Sequence, residues 1–155
     1  MNKMLFITLL LALLAACAPV AQVSEPARQV LEDFFAALNH ADYAQADALY
    51  GGTYEVLTGW NPDIDPGDHS TLWERGCTQN GLQCLILRSA TLKEQGEEGL
   101  IFTVEFNNPD GSLFVRGPCC GATETEMPPV SQFEFRVVKS AEGEYLVMDL
   151  PVYVP

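Results

Sequence analysis

Leu100-Ile101-Phe102-Thr103-Val104-Glu105-Phe106 sets Leu100, Phe102, Val104 and Phe106 at every second position. Side chains along an extended strand point alternately to opposite faces, so the stretch predicts a strand with one large apolar face buried. Glu105 falls on the other face and is expected in solvent. A Gln95-Gly96-Glu97-Glu98-Gly99 turn precedes it, and residues 82–94 before that turn read as another strand. Downstream, Asn108-Pro109-Asp110-Gly111 turns the chain into a strand at 112–116, and residues 118–129 read as loop. Phe133, Phe135 and Val137 resume the alternation, with Glu134 outward. Glu142-Gly143 turns, and Tyr145 to Leu150 completes the set before Pro151. Asp149 shares a face with Tyr145 and Val147, so it is the one strand carboxylate expected to point inward.

Upstream of residue 82 the period changes. Val30, Leu31, Phe34, Phe35 and Leu38 recur at helical spacing, and Ser24 is positioned to cap that helix with Pro26 in its first turn. Asp42 reads as a second N-cap, ahead of a Tyr43, Ala46, Leu49, Tyr50 stripe that Gly51-Gly52 ends. Residues 54–57 fit a helix or a short strand equally. Asp68 caps a short helix carrying Leu72 and Trp73. Helices first and a meander afterwards predict an α+β domain, its N-terminal helices packed on a curved antiparallel sheet of four to five strands.

The first residues set the expected address. Lys3 precedes an apolar run from Met4 to Leu14, shorter than the ~20 residues a spanning helix needs. Leu14-Ala15-Ala16-Cys17 closes it and resembles the lipobox of bacterial lipoproteins, whose cysteine thiol is alkylated by diacylglycerol and becomes the new N-terminus. The resemblance implies a signal peptide at 1–16, lipidation at Cys17, and an exported domain held at a cell membrane or outer membrane through its lipid. The alternative is a plain secretory cut after Ala18, which would place Pro19 directly after the scissile bond. Residues 17–25 read as a tether and residues 26–155 as one domain, about the size one core supports.

Lys and Arg number 8 against 21 Asp and Glu, and Lys3 is the only charged residue of the leader. The domain is therefore more acidic still than the net −13 of the whole chain. Nucleic-acid binding needs a basic face and is excluded as an expectation.

The Ala37-Leu38-Asn39-His40-Ala41-Asp42-Tyr43 helix junction and the Gly143-Glu144-Tyr145-Leu146-Val147-Met148-Asp149-Leu150 closing strand resemble nuclear-transport-factor-2-like domains. That superfamily, which is cystatin-like in its helix-and-sheet plan, implies a cone in which a bent sheet wraps a long helix and leaves a pocket. Tyr50, Tyr54 and Asp149 are the residues that would line such a pocket. Related domains often dimerise through the open sheet face, so a homodimer is also implied. Members include isomerases and dehydratases as well as non-catalytic modules, so the resemblance alone assigns no activity.

Cys77, Cys84, Cys119 and Cys120 form an even set in an exported chain, and disulfides are the expected state. Three connectivities exist. Cys77–Cys84 would close a small loop, crossed bridges would join both to the 119–120 region, and Cys119–Cys120 would need a strained eight-membered ring. A metal site on the same cysteines is the alternative, although zinc-type Cys-x-x-Cys spacing is lacking. Asn61-Pro62-Asp63-Ile64-Asp65-Pro66-Gly67-Asp68 has alternating oxygens like a calcium loop. Pro66 stands where glycine is required, however, and no glutamate follows at the twelfth position, so it reads as a turn. His40 and His69 are expected at helix ends, exposed. No phosphate loop, nucleophile elbow or metalloprotease helix occurs, and no metal or cofactor is expected. These readings converge on a membrane-anchored, non-catalytic domain that binds a small molecule or an envelope protein. The alternative is a small lyase or isomerase acting on an apolar substrate in the cone pocket.

Overall fold

A computed structural model describes residues 19–155, and the leader and Cys17 lie outside the described residues. Four helices occur in this span: α1 (Pro19–Asn39), α2 (Tyr43–Ala48), α3 (Glu55–Trp60) and α4 (His69–Thr78). Four strands follow, β1 (Ile86–Gly96), β2 (Gly99–Asn107), β3 (Phe133–Lys139) and β4 (Tyr145–Val147). They pair antiparallel in the order β1-β2-β3-β4, an open meander. The α+β expectation is met.

The alternation in β2 is complete: Leu100, Phe102, Val104 and Phe106 are buried, while Ile101, Thr103 and Glu105 are only half-buried. Phe102 faces Phe135 across the β2–β3 ladder, and Leu100 faces Val137. Two register shifts interrupt β1, between Leu87 and Ser89 and between Leu92 and Glu94. An inserted residue bends and twists the strand that carries it, which suits a sheet wrapped on one long helix. That helix, α1, packs on β1 and β4 and on α2. Its buried stripe is Ala27, Leu31, Phe34, Phe35, Ala37 and Leu38. Phe35 meets Phe106 and Phe135 edge to face, with centroids 4.8 and 5.0 Å apart, and Phe34 meets Trp73 at 5.6 Å. Each such ring contributes roughly 1.5–3 kcal/mol by burial, and an edge-to-face pair adds about 0.5–1.5 kcal/mol. Between helix and sheet the space is filled with aromatic side chains.

The junction after α1 is decided by one residue. Ala41 has φ +59°, its N–H donates to Leu38 O, and the Asp42 N–H donates to Ala37 O. This is a Schellman stop with alanine in the left-handed position usually given to glycine. Asp42 then caps α2, accepting from Gln45 N at 3.2 Å. Asp68 caps α4 in the same way, accepting from Thr71 N at 3.2 Å and Thr71 Oγ1 at 2.8 Å. Both caps match their sequence expectation.

Several boundaries differ or are now decided. The described helix begins at Pro19, so α1 runs through part of the expected tether, and Pro26 lies inside it. Within it Arg28 pairs with Glu25 and Glu32, neighbours one turn away on the same face. Residues 54–57, undecided by periodicity, lead into α3. Residues 112–116 are not a strand of the sheet. β3 stops pairing at Val104, and Leu113 and Phe114 bind the exposed end of β2 beyond it, through a bridge to Asn107 and a hydrogen bond to Phe106 O.

Residues 82–85 also lie outside β1, because the C-terminal segment holds them. Gln83 N donates to Val152 O, and Val154 N donates to Gly81 O. Gly81 has φ +84°, and a Cβ there would stand 2.2 Å from Val154 O, so only glycine fits.

Candidate functional site

Tyr50 and Asp149 meet where α2 joins the sheet. Gly51 N donates to Val147 O at 2.8 Å and Val147 N to Leu49 O at 2.9 Å, which lays the end of α2 along β4. The Tyr50 ring stacks on Phe34 and stands edge-on to Trp73, and its hydroxyl donates to Thr53 O at 3.1 Å. Burial, with the Asp149 charge adding to it, pushes the Tyr50 phenol up to about 12. A surface cleft of about 380 Å³ lies here, lined by Tyr50, Gly52, Val56, Arg136, Met148 and Asp149.

Asp149 is half-buried and lies past the end of the sheet pairing. β4 ends at Val147, so the alternation does not extend to residue 149. Its Oδ2 accepts from Arg136 N at 2.6 Å, next to the Met148 N–H donated to Arg136 O. The carboxylate thus replaces a strand partner at the sheet edge. That makes Asp149 an anchor of the chain end as well as a wall of the cleft beside Tyr50.

Tyr54 borders Tyr50, with ring centroids 5.3 Å apart, but its hydroxyl leads to a different group. It donates to Asp47 Oδ1 at 2.5 Å and accepts from Trp73 Nε1 at 2.9 Å. The same Asp47 oxygen holds His69 Nδ1 at 2.9 Å, and the His69 ring stacks on Tyr54 at 3.8 Å and 7°. Burial and then the Asp47 hydrogen bond hold the Tyr54 phenol far above its ordinary value, so it stays a donor at neutral pH. This Asp47–Tyr54–His69–Trp73 network joins α2, α3 and α4. It corrects the expectation of an exposed His69, which is half-buried here. Sequence reasoning missed Asp47 entirely. Its partners lie 7 and 22 residues away, and no local pattern signals that convergence.

Glu105 and Glu134 face outward, as alternation requires. Glu105 binds Ser89 Oγ and Gln132 Nε2, and Glu134 pairs with Lys93. In the 61–68 loop the oxygens serve the fold: Asp63 pairs with Arg75, Asp65 accepts from Gly67 N, and Asp68 caps α4. Asn61, the single buried polar side chain in the described residues, donates to Leu57 O and Asn80 Oδ1, fastening α3 to the end of α4.

Cys77 and Cys84 form a disulfide with Cα atoms 5.5 Å apart, joining α4 to the approach of β1. Asn39 Nδ2 donates to Cys84 O at 3.0 Å, so the end of α1 is tied to the same loop. Because these two sulfurs bind each other, crossed bridges to the 119–120 region are excluded. Cys119 and Cys120 are not bridged in this structure, so one bridge of the expected set is present. Their Sγ atoms lie 2.8 Å apart. Adjacent cysteines on an extended strand would point apart. Here Cys120 has φ +60°, followed by Gly121 at +88°, and the turn brings both sulfurs together. Among the described residues no three His, Cys, Asp or Glu side chains gather as a metal site.

Trp60 and Tyr153, both large and exposed, pack with centroids 5.2 Å apart beside a cleft of about 350 Å³ that Gln79 and Asn80 also line. Compared with protein-family models, curated proteins and solved structures, the chain matches none.

Proposed function

We propose that this chain is an envelope lipoprotein, processed before Cys17, lipidated on that thiol, and carrying a non-catalytic binding domain of the nuclear-transport-factor-2-like plan. The observation that carries the reading is where apolar surface lies. The space between α1 and the sheet is occupied by Phe34, Phe35, Phe102, Phe106 and Phe135, whereas Trp60 and Tyr153 stand exposed at a surface cleft. Binding therefore belongs to the outside of the fold, where aromatic side chains provide large contact area at low entropic cost. A carboxylate acting as general base must face its substrate. Asp149 lines the Tyr50 cleft, but its Oδ2 already accepts the Arg136 N–H, which favours an anchoring part for it and a binding role over the lyase or isomerase alternative. The Cys77–Cys84 disulfide fits an oxidising compartment, in line with export.

One acyl chain holds a protein marginally at a membrane and two or three hold it stably. Cells fed labelled palmitate are expected to incorporate it into the chain, and Cys17→Ser is expected to abolish both labelling and sedimentation with membranes. A Cys17→Ser protein that still sediments with membranes would contradict the lipid anchor.

A further inference from the structure

Cys119 and Cys120 are the one pair of cysteines in the described residues without a structural bond, and three observations give them a chemistry. Their sulfurs are in contact at 2.8 Å, and among the described residues each is the other's one free-thiol neighbour, since Cys77 and Cys84 are consumed. They open on a surface cleft of about 380 Å³ whose other walls are largely apolar and include Met127 and Tyr153. Arg116 lines the same cleft, and its Nε is buried with no hydrogen-bond partner among the described residues.

We propose that Cys119–Cys120 is a thiol–disulfide exchange site, a dithiol that closes to a vicinal disulfide by reaction with a small-molecule disulfide and reopens with the corresponding thiol. The exposed Cys120 thiolate attacks one sulfur of the small disulfide. That S–S bond breaks, a Cys120 mixed disulfide forms, and the first small thiolate departs. Cys119, losing its proton, then attacks Cys120 Sγ, and the second small thiolate departs. In sum the two protein thiols are oxidised by two electrons, one small disulfide is reduced to two thiols, and the two protons pass to the departing sulfurs. The order follows from the surroundings. The hydrogen bond that the Cys119 thiol shares with Cys120, holding its proton, and then burial keep Cys119 above its ordinary value, and the Arg116 charge pulls the other way. Once Cys120 is in mixed disulfide it no longer takes the Cys119 proton's hydrogen bond, and Arg116 is left to favour the Cys119 thiolate. The eight-membered ring formed between neighbours is strained, so it reopens more readily than a relaxed bridge. This site rests on the loop geometry and stands independently of the lipid anchor.

The test equilibrates the full chain in glutathione buffers from reducing to oxidising, quenches it by alkylation, and digests it with trypsin. Peptide Gly117–Arg136 holds both thiols and no other cysteine. It is expected to switch from a doubly alkylated form to an unalkylated one two hydrogens lighter than the free dithiol peptide, while peptide Gly76–Arg88 keeps its bridge over the same range. Two thiols that stay alkylatable in the most oxidising buffer, or that end as two glutathione adducts, overturn the proposal. Cys119→Ser is expected to trap a glutathione adduct at Cys120. Cys120→Ser is expected to form its adduct about 10-fold more slowly, reflecting the less accessible thiol. Equal rates overturn the assigned order.

Discussion

The two cysteine pairs sit in opposite kinds of surroundings. Cys77 and Cys84 are separated by 7 positions, lie against the core, and close a loop that Asn39 also binds. Cys119 and Cys120 are neighbours in a loop whose residues between 117 and 130 are mostly exposed, and they fasten nothing. The same side chain is a staple in one place and a reactive group in the other. Separation along the chain decides part of this, because a bridge between neighbours restrains almost no chain entropy. Packing decides the rest, because a bridge against the core is shielded and one on a cleft is open to exchange.

Substitutions that contrast the packed side with the loop sharpen this difference. Phe35→Ala removes a fully buried ring at the centre of the aromatic fill and is expected to cost about 3–5 kcal/mol, read as a lowered denaturant midpoint. If the cost were under ~1 kcal/mol, the interior would hold slack space and the filled-interior argument would fail.

Tyr50 tests the same packing through pH. Its folded value is raised to about 12, against about 10 in an unfolded chain, so the unfolded state releases its proton first as pH rises. Its contribution is fully present below pH 10 and lost between 10 and about 12, amounting to ~3 kcal/mol. Tyr50→Phe should flatten that alkaline fall in stability. An unchanged fall would mean that another group is responsible.

Replacing Cys77 and Cys84 together by alanine is expected to cost about 2–3 kcal/mol, seen as a lower Tm. Replacing Cys119 and Cys120 together by serine is expected to shift stability by less than ~0.5 kcal/mol, since neither thiol is packed into the core. Equal losses from the two double variants would erase the distinction between staple and reactive pair.

Local patterns made much of the fold legible. Alternation located β2 and β3, and two aspartates placed the starts of α2 and α4, since each of these signals is written within a few residues. The Cys77–Cys84 loop was likewise readable as one of three connectivities. Alternation says little about Asp149, because β4 ends two residues before it and counting by twos carries past the end of the strand. The Asp47–Tyr54–His69 contact was invisible because it depends on how three short helices pack. The meeting of Cys119 and Cys120 on one side depends on a left-handed φ at a non-glycine residue, which composition does not announce.

Intact-mass analysis of the protein taken from its native membrane, before and after reduction, tests the central claim most directly. The account predicts a chain beginning at Cys17, heavier by a diacylglyceryl group, with the Cys77–Cys84 bridge opening only on reduction. A full-length chain starting at Met1, unacylated and with every cysteine reduced, would contradict it.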